Sequence, residues 1–167
     1  MPEMPNVDFE AIAKGMSLAV PFAGFLNLDI AEVSAGEATV VLPGRQELTN
    51  HVGSQHAGAL FTAAETASGA AFVGAFAIRM GDVTPLARSA EIEYTKVASG
   101  RITATAKLGV EAAKALATLD AAGKVEFPCH VVLTNSAGDQ VATATVHWHV
   151  RLKADAPAER PAPPTNP

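Results

Sequence analysis

The chain has 167 residues, 49% of them hydrophobic and only 17% charged, with a formal net charge of -5. That balance excludes an intrinsically disordered chain and disfavours nonspecific binding to DNA or to an anionic membrane. One cysteine excludes an intrachain disulfide framework, and aromatics at 5% are too few for a base-stacking surface, so no nucleic-acid partner is expected.

In chain order, residues 1–7 carry no element signal. Residues 8–20 fit a short amphipathic helix: Asp8 is a suitable N-cap, and Phe9, Ile12, Met16 and Val20 share a face. Pro21 ends it, and Phe22, Phe25 and Leu26 form an apolar connector. Strands are predicted at 28–34 and 37–43 around the Ala35-Gly36 turn, followed by a polar loop over 44–54. Residues 55–79 form a long helix built from alanine and glycine. Its length approaches that of a membrane span, but Thr62, Glu65 and Ser68 argue against one. Small residues on every side instead predict a helix closely surrounded by a curling sheet.

Four more strands follow, at 86–97, 101–110, 124–134 and 140–152, with alternation that places Ala90, Ile92, Tyr94, Phe127, Cys129 and Trp148 inward. Pro128 predicts that its strand is an edge or bulged one. Residues 111–122 prefer helix and are read as an excursion between strands. The organisation expected is an N-terminal helical segment over 1–20, one domain over 21–153 and a disordered Pro/Ala-rich tail over 154–167. The fold class expected is α+β, a curved antiparallel sheet packed on a long central helix. No basic segment followed by an apolar run opens the chain, so no signal peptide is expected and the compartment expected is the cytoplasm.

The chemistry concentrates at the start of the long helix. Asn50, His51, Gly53, Ser54, Gln55, His56, Ala57 and Gly58 crowd its positive end, and Glu65 stands about two turns inside an otherwise small apolar run. A carboxylate in such surroundings is costly and needs a partner or a role. Main-chain amides of Ala57 and Gly58 are candidate oxyanion donors, and Glu65 is the candidate base or nucleophile. Donor and acid lie about 10–14 Å apart along one helix, so a second subunit is expected to complete the site. Phe61, Phe72 and Phe76 line a pocket or fill the core. His147 and His149 share a strand face without a third ligand, so no metal is expected.

The run Asn50, Gly53-Ser54-Gln55-His56-Ala57-Gly58 and then Glu65 resembles the hotdog-fold thioesterases, in particular their phenylacetyl-CoA thioesterase-like (PaaI-like) branch. Ala90-Glu91-Ile92-Glu93-Tyr94-Thr95-Lys96 before Gly100 is similar to that family's central strand, and Trp148 after the Gly138 hairpin to its last strand. The likeness covers residues 20–152. It implies a hotdog fold, hydrolysis of an acyl-CoA or acyl-carrier-protein thioester, no cofactor beyond the coenzyme A of the substrate, and a homodimer or dimer of dimers. It implies catalytic roles for Glu65, Asn50, His56, Ala57 and Gly58, and substrate contacts at Ala87, Arg88, Ser89, Tyr94, Lys96 and Arg101. Lys107 joins the basic residues able to meet phosphates. Ala57 departs from the usual glycine, Glu65 from the more frequent aspartate, and Ala87 from a serine or threonine. Two alternatives remain open: a hotdog 2-enoyl thioester hydratase or dehydratase using His51 and Glu65, and a non-catalytic acyl-CoA-binding module.

Overall fold

The computed structural model describes residues 6–155. The stretches 1–5 and 156–167, and with them most of the tail expected after residue 153, lie outside the described residues. Helix α1 spans Phe9–Ala19, and the Asp8 carboxylate accepts from the Ala11 N–H at 2.9 Å as its N-cap. The expected connector is itself helical: α2 spans Pro21–Phe25 with proline at its start. Pro21 does both jobs. It holds Val20 in the extended region, which ends α1, and as a first helical residue it loses no hydrogen bond.

Strands β1 (Asp29–Ser34) and β2 (Glu37–Leu42) form the expected hairpin. A short 3-10 turn, Gln46–Leu48, lies inside the polar loop. Helix α3 spans Ala57–Ala75 and a 3-10 segment, Ala77–Asp82, continues it, so the regular helix stops before the predicted residue 79. The remaining elements are β3 (Val83–Tyr94), β4 (Ile102–Leu108), α4 (Ala112–Ala122), β5 (Lys124–Asn135) and β6 (Gln140–Leu152). Gly123, left-handed at φ 72°, closes α4 and turns the chain into β5.

The six strands form one antiparallel sheet in the order β1-β2-β4-β5-β6-β3. It curls around α3, whose Ala63, Ala64, Ala67, Ala70 and Ala71 are buried. The approach is closest at Gly74, where an added Cβ would overlap the Ser34 carbonyl of β1. This is the curved antiparallel sheet on a central helix that the alternation and the small-residue helix predict, and the α+β hotdog architecture that the resemblance implies. Phe72, Phe76, Phe127 and Trp148 stack together, with Phe72 and Trp148 centroids 5.3 Å apart, so these phenylalanines fill the core.

Pro128 requires a correction. Its strand, β5, is no edge, because it lies between β4 and β6; the ladder with β6 does shift register, but between Leu133 and Thr134, away from the proline. The proline is tolerated because it stands one residue beyond the last β4 pair, Leu108 with Cys129, where the ladder ends and one missing N–H costs little. Its carbonyl still accepts from the Gly109 N–H at 2.7 Å. The strand whose sequence is similar to the family's central strand, β3, lies at one edge of this chain's own sheet.

Candidate active site

Helix α3 begins where it does because His56 caps it. The imidazole Nδ1 accepts from the Gly58 N–H at 2.9 Å, while the His56 carbonyl accepts from Ala59 and Leu60. The ring lies where a side chain on residue 58 would begin, with Nδ1 only 3.1 Å from the position of an added Cβ, which accounts for glycine there. Of the two amides expected to serve as oxyanion donors, Gly58 is therefore engaged by the cap. The Ala57 N–H has no acceptor among the described residues and stands at the exposed mouth of the helix.

The loop before the helix is braced from within. Asn50 Oδ1 accepts from the amides of Val52 and Ser54 at 3.1 and 3.2 Å, and its Nδ2 donates to Ser54 Oγ at 2.8 Å. Both ends of this amide thus shape the loop. Gln55 is the residue that no local pattern marks. It is buried, and its Nε2 donates to the carbonyls of Pro43 at 3.0 Å and Gly100 at 2.7 Å. It fastens the start of α3 to the end of β2 and to the turn before β4. A glutamine beside a histidine carries no signature of such a tie, because both partners are main-chain atoms distant in sequence.

Glu65 stands two turns further along, half-buried, and its carboxylate has no hydrogen bond or ion pair among the described residues. Burial pushes its pKa above the ordinary 4.5. Phe61, Thr62, Gly69 and Val73 are likewise not fully buried. On the edge strand β3, Ala87 stands opposite Trp148 of β6, whose ring stacks on Phe72 of α3, so Ala87 lies on the sheet's inner face. Tyr94, at the end of β3, donates its hydroxyl to the Ala57 carbonyl at 3.1 Å and bridges the edge strand to the helix mouth.

The structure gathers Asn50, His56, Ala57, Gly58 and Tyr94 at that mouth. Of the other expected substrate contacts, Arg88 and Ser89 lie on the sheet's outer face. A bulge between Ala87 and Ser89 turns the chain, and Ser89 pairs with His147 on the outer face. Arg88 reaches across that face to Glu126 at 2.7 Å, and His149 Nδ1 meets the same carboxylate oxygen at 2.7 Å. Those two contacts, His149 first, hold the Glu126 carboxyl below its ordinary pKa. Lys107 pairs with Glu37 and Lys96 with Asp139. Arg101 is exposed and has no ion pair among the described residues. His51 is exposed in the 50–54 turn. Cys129 is fully buried and its thiol is pushed up to about 12, which leaves it an inert core residue.

A concavity of about 1050 Å³ lies between α1 and β1 and touches none of the expected site residues. A smaller one, about 450 Å³, opens on the outer face at Arg88, Ser89 and His147. Neither of these concavities, nor one of about 620 Å³ beside Gly36 and Gly109, is lined by Ala57 or Glu65. No helix among the described residues is long and apolar enough to cross a membrane.

A family model described as "Domain of unknown function (DUF4442)" matches residues 9–150. No curated protein matches the chain. Among solved structures it is similar to PA5026 of Pseudomonas aeruginosa, a protein of unknown function described as "Probable Thioesterase". That likeness has 25% identity and a TM-score of 0.77, and covers 92% of this chain and 99% of that one. It is also similar to the PaaI protein of the E. coli phenylacetic acid degradation operon, with 24% identity, a TM-score of 0.65, and coverage of 86% and 93%. A thioesterase family protein of Silicibacter pomeroyi shares 18% identity at a TM-score of 0.69, over 86% and 98% of the two chains.

Proposed function

This chain belongs to the family described as "Domain of unknown function (DUF4442)", with a fold shared by thioesterases, and from that premise we propose that it is an acyl-CoA thioesterase. The observation that carries the proposal is that one helix holds both an unengaged amide, Ala57 N–H, and a half-buried, unpaired carboxylate, Glu65. The thioester carbonyl oxygen accepts from Ala57 N–H. Glu65 takes a proton from water as the oxygen of that water attacks the carbonyl carbon. The oxyanion of the tetrahedral intermediate stays on the amide, at the positive end of α3. The carbon–sulfur bond then breaks, and coenzyme A leaves as a thiolate that regains a proton. One such donor is worth roughly 3 kcal/mol.

A single chain does not bring the two groups to one carbonyl. Ala57 and Glu65 are separated by about 12 Å of helix rise, whereas amide and base must each lie within about 3 Å of the reacting atoms or one water away. A second copy supplies the missing partner in this proposal, with Glu65 of one chain facing Ala57 of the other. The unpaired edge of β3 and the partly exposed face of α3 that carries Glu65 support that arrangement, and a dimer of dimers extends it. In the Staphylococcus aureus thioesterase SAV0944, a glutamine and a glutamate have each been replaced by alanine in solved structures, at the same separation along the chain as Asn50 and Glu65 here. A CoA-ester substrate and a free buried thiol are in keeping with the cytoplasm.

The test is release of free thiol from short, medium, long and aromatic acyl-CoAs. Hydrolysis of none of them removes the proposal. Ala57→Pro isolates the mechanism. Proline suits the first helical position, His56 already has the extended conformation that precedes proline, and only the unengaged N–H is lost. The expected result is a fall in kcat of about 10²–10³ with little change in melting temperature. Hydration of a 2-enoyl thioester dependent on His51, or tight binding of acyl-CoA without turnover, would establish the alternatives instead.

A further inference from the structure

Three hydrogen-bonding groups at the mouth of α3 form a continuous chain. Tyr94 donates its phenolic hydrogen to the Ala57 carbonyl at 3.1 Å. The peptide unit that carries this carbonyl also carries the Gly58 N–H, and that N–H donates to His56 Nδ1 at 2.9 Å. A main-chain N–H is only a donor, so Nδ1 must be the bare nitrogen of the ring, and in the neutral imidazole the proton is on Nε2. Each bond polarises the next: withdrawal of charge at the carbonyl makes the same peptide's N–H a better donor.

We propose that Tyr94 is a positioning residue that acts through the Ala57–Gly58 peptide to lock His56 as its Nε2–H tautomer, and that this N–H is the second donor to the thioester carbonyl beside Ala57. The inference rests on the thioesterase proposal and deepens it. It also resolves a difficulty in the geometry. Two donors are expected for an oxyanion, yet the Gly58 amide is already spent on the cap. The ring, lying against Gly58 at the exposed start of the helix, passes that donor capacity outward to Nε2. Tyr94 is the only side chain of β3 with a hydrogen bond to α3 among the described residues, and it reaches the peptide whose polarity matters most to the site.

Two variants and one spectrum test this. Tyr94→Phe keeps the ring and removes the phenolic donor. The expected effect is a roughly three- to tenfold fall in kcat, the scale of one neutral hydrogen bond, with KM unchanged. His56→Asn keeps an acceptor able to cap Gly58 but has no N–H at the Nε2 position. It is expected to hold the melting temperature and to lose roughly a hundredfold in kcat. In mildly alkaline buffer, the imidazole ¹⁵N shifts of His56 should show the Nε2–H tautomer alone in the native protein and an admixture of the Nδ1–H tautomer in Tyr94→Phe. A native ring protonated on Nδ1, full kcat in His56→Asn, or a Tyr94→Phe protein unchanged in both kcat and ¹⁵N shifts would each overturn the inference. Should Tyr94→Phe fail to fold, Tyr94→Met, which also lacks the donor at this part-exposed position, supplies the same two readouts, and the same outcomes decide it. Absence of hydrolysis with every acyl-CoA removes the enzyme proposal and the catalytic use of His56 with it, while the tautomer lock is judged by the spectrum alone.

Discussion

Glu65 shows how one side chain carries both cost and purpose. Half-buried and without a cation beside it, the carboxylate is held above the ordinary 4.5 by desolvation. The native state therefore keeps its proton to higher pH than the unfolded chain does. Ionisation of Glu65 works against folding, and stability falls as pH rises from the ordinary glutamate value through the raised one. Glu65→Gln should melt higher than the native protein at neutral pH and no higher at a pH below 4.5. Activity should respond in the opposite sense. The base must be ionised, so the acid limb of kcat/KM is expected above the ordinary glutamate pKa and should vanish together with activity in Glu65→Gln. A variant equally stable across that range would mean that the carboxylate is not desolvated. At this scale the sequence was informative because an acid in an alanine-rich helix is conspicuous wherever it stands. Gln55 and the Tyr94 hydroxyl were not legible, since each meets a carbonyl whose nearness is created only by the fold.

Among elements, α3 was legible in kind, and its surroundings could be inferred from its glycines and alanines. Which glycine matters could not. Gly74 faces the Ser34 carbonyl with no room for a methyl group, whereas a Cβ on Gly69 would meet only Trp148, at 3.9 Å. Alanine is the better helix former at both positions, by roughly 1 kcal/mol. The expected outcomes nevertheless have opposite signs. Gly69→Ala should leave the melting temperature unchanged or raise it, while Gly74→Ala should lower it, because overpacking costs about 1–3 kcal/mol or more and outweighs propensity. Thermal unfolding of the two variants side by side checks this, and equal behaviour would contradict the close approach of β1 to α3. Pro128 teaches the same lesson for strands. The rule that proline marks an edge holds for the ladder position and not for the whole strand, and the early end of β4 that satisfies it cannot be read from β5.

At the scale of the whole molecule, alternation identified every strand yet not their order, because period two tells which face is buried and nothing about which neighbour lies alongside. The order puts β3 at an edge, with Leu86 51% and Tyr94 46% exposed and only Val83 fully buried. A twelve-residue edge strand left unpaired is a liability for an isolated chain and an advantage for a pair. If two copies share each site, Ala57 of one chain works with Glu65 of the other, and two dead variants can rescue each other. Ala57→Pro and Glu65→Gln homodimers lack one group at both sites. In a mixed dimer, one site loses both groups and the other keeps both. Equal amounts of the two variants, unfolded and refolded together, should recover about a quarter of the native activity by random pairing. If each site belonged to one chain, every site in the mixture would lack either the amide or the acid, and no activity would return. Recovery therefore distinguishes a shared site from two independent ones, whichever acyl group the site accepts.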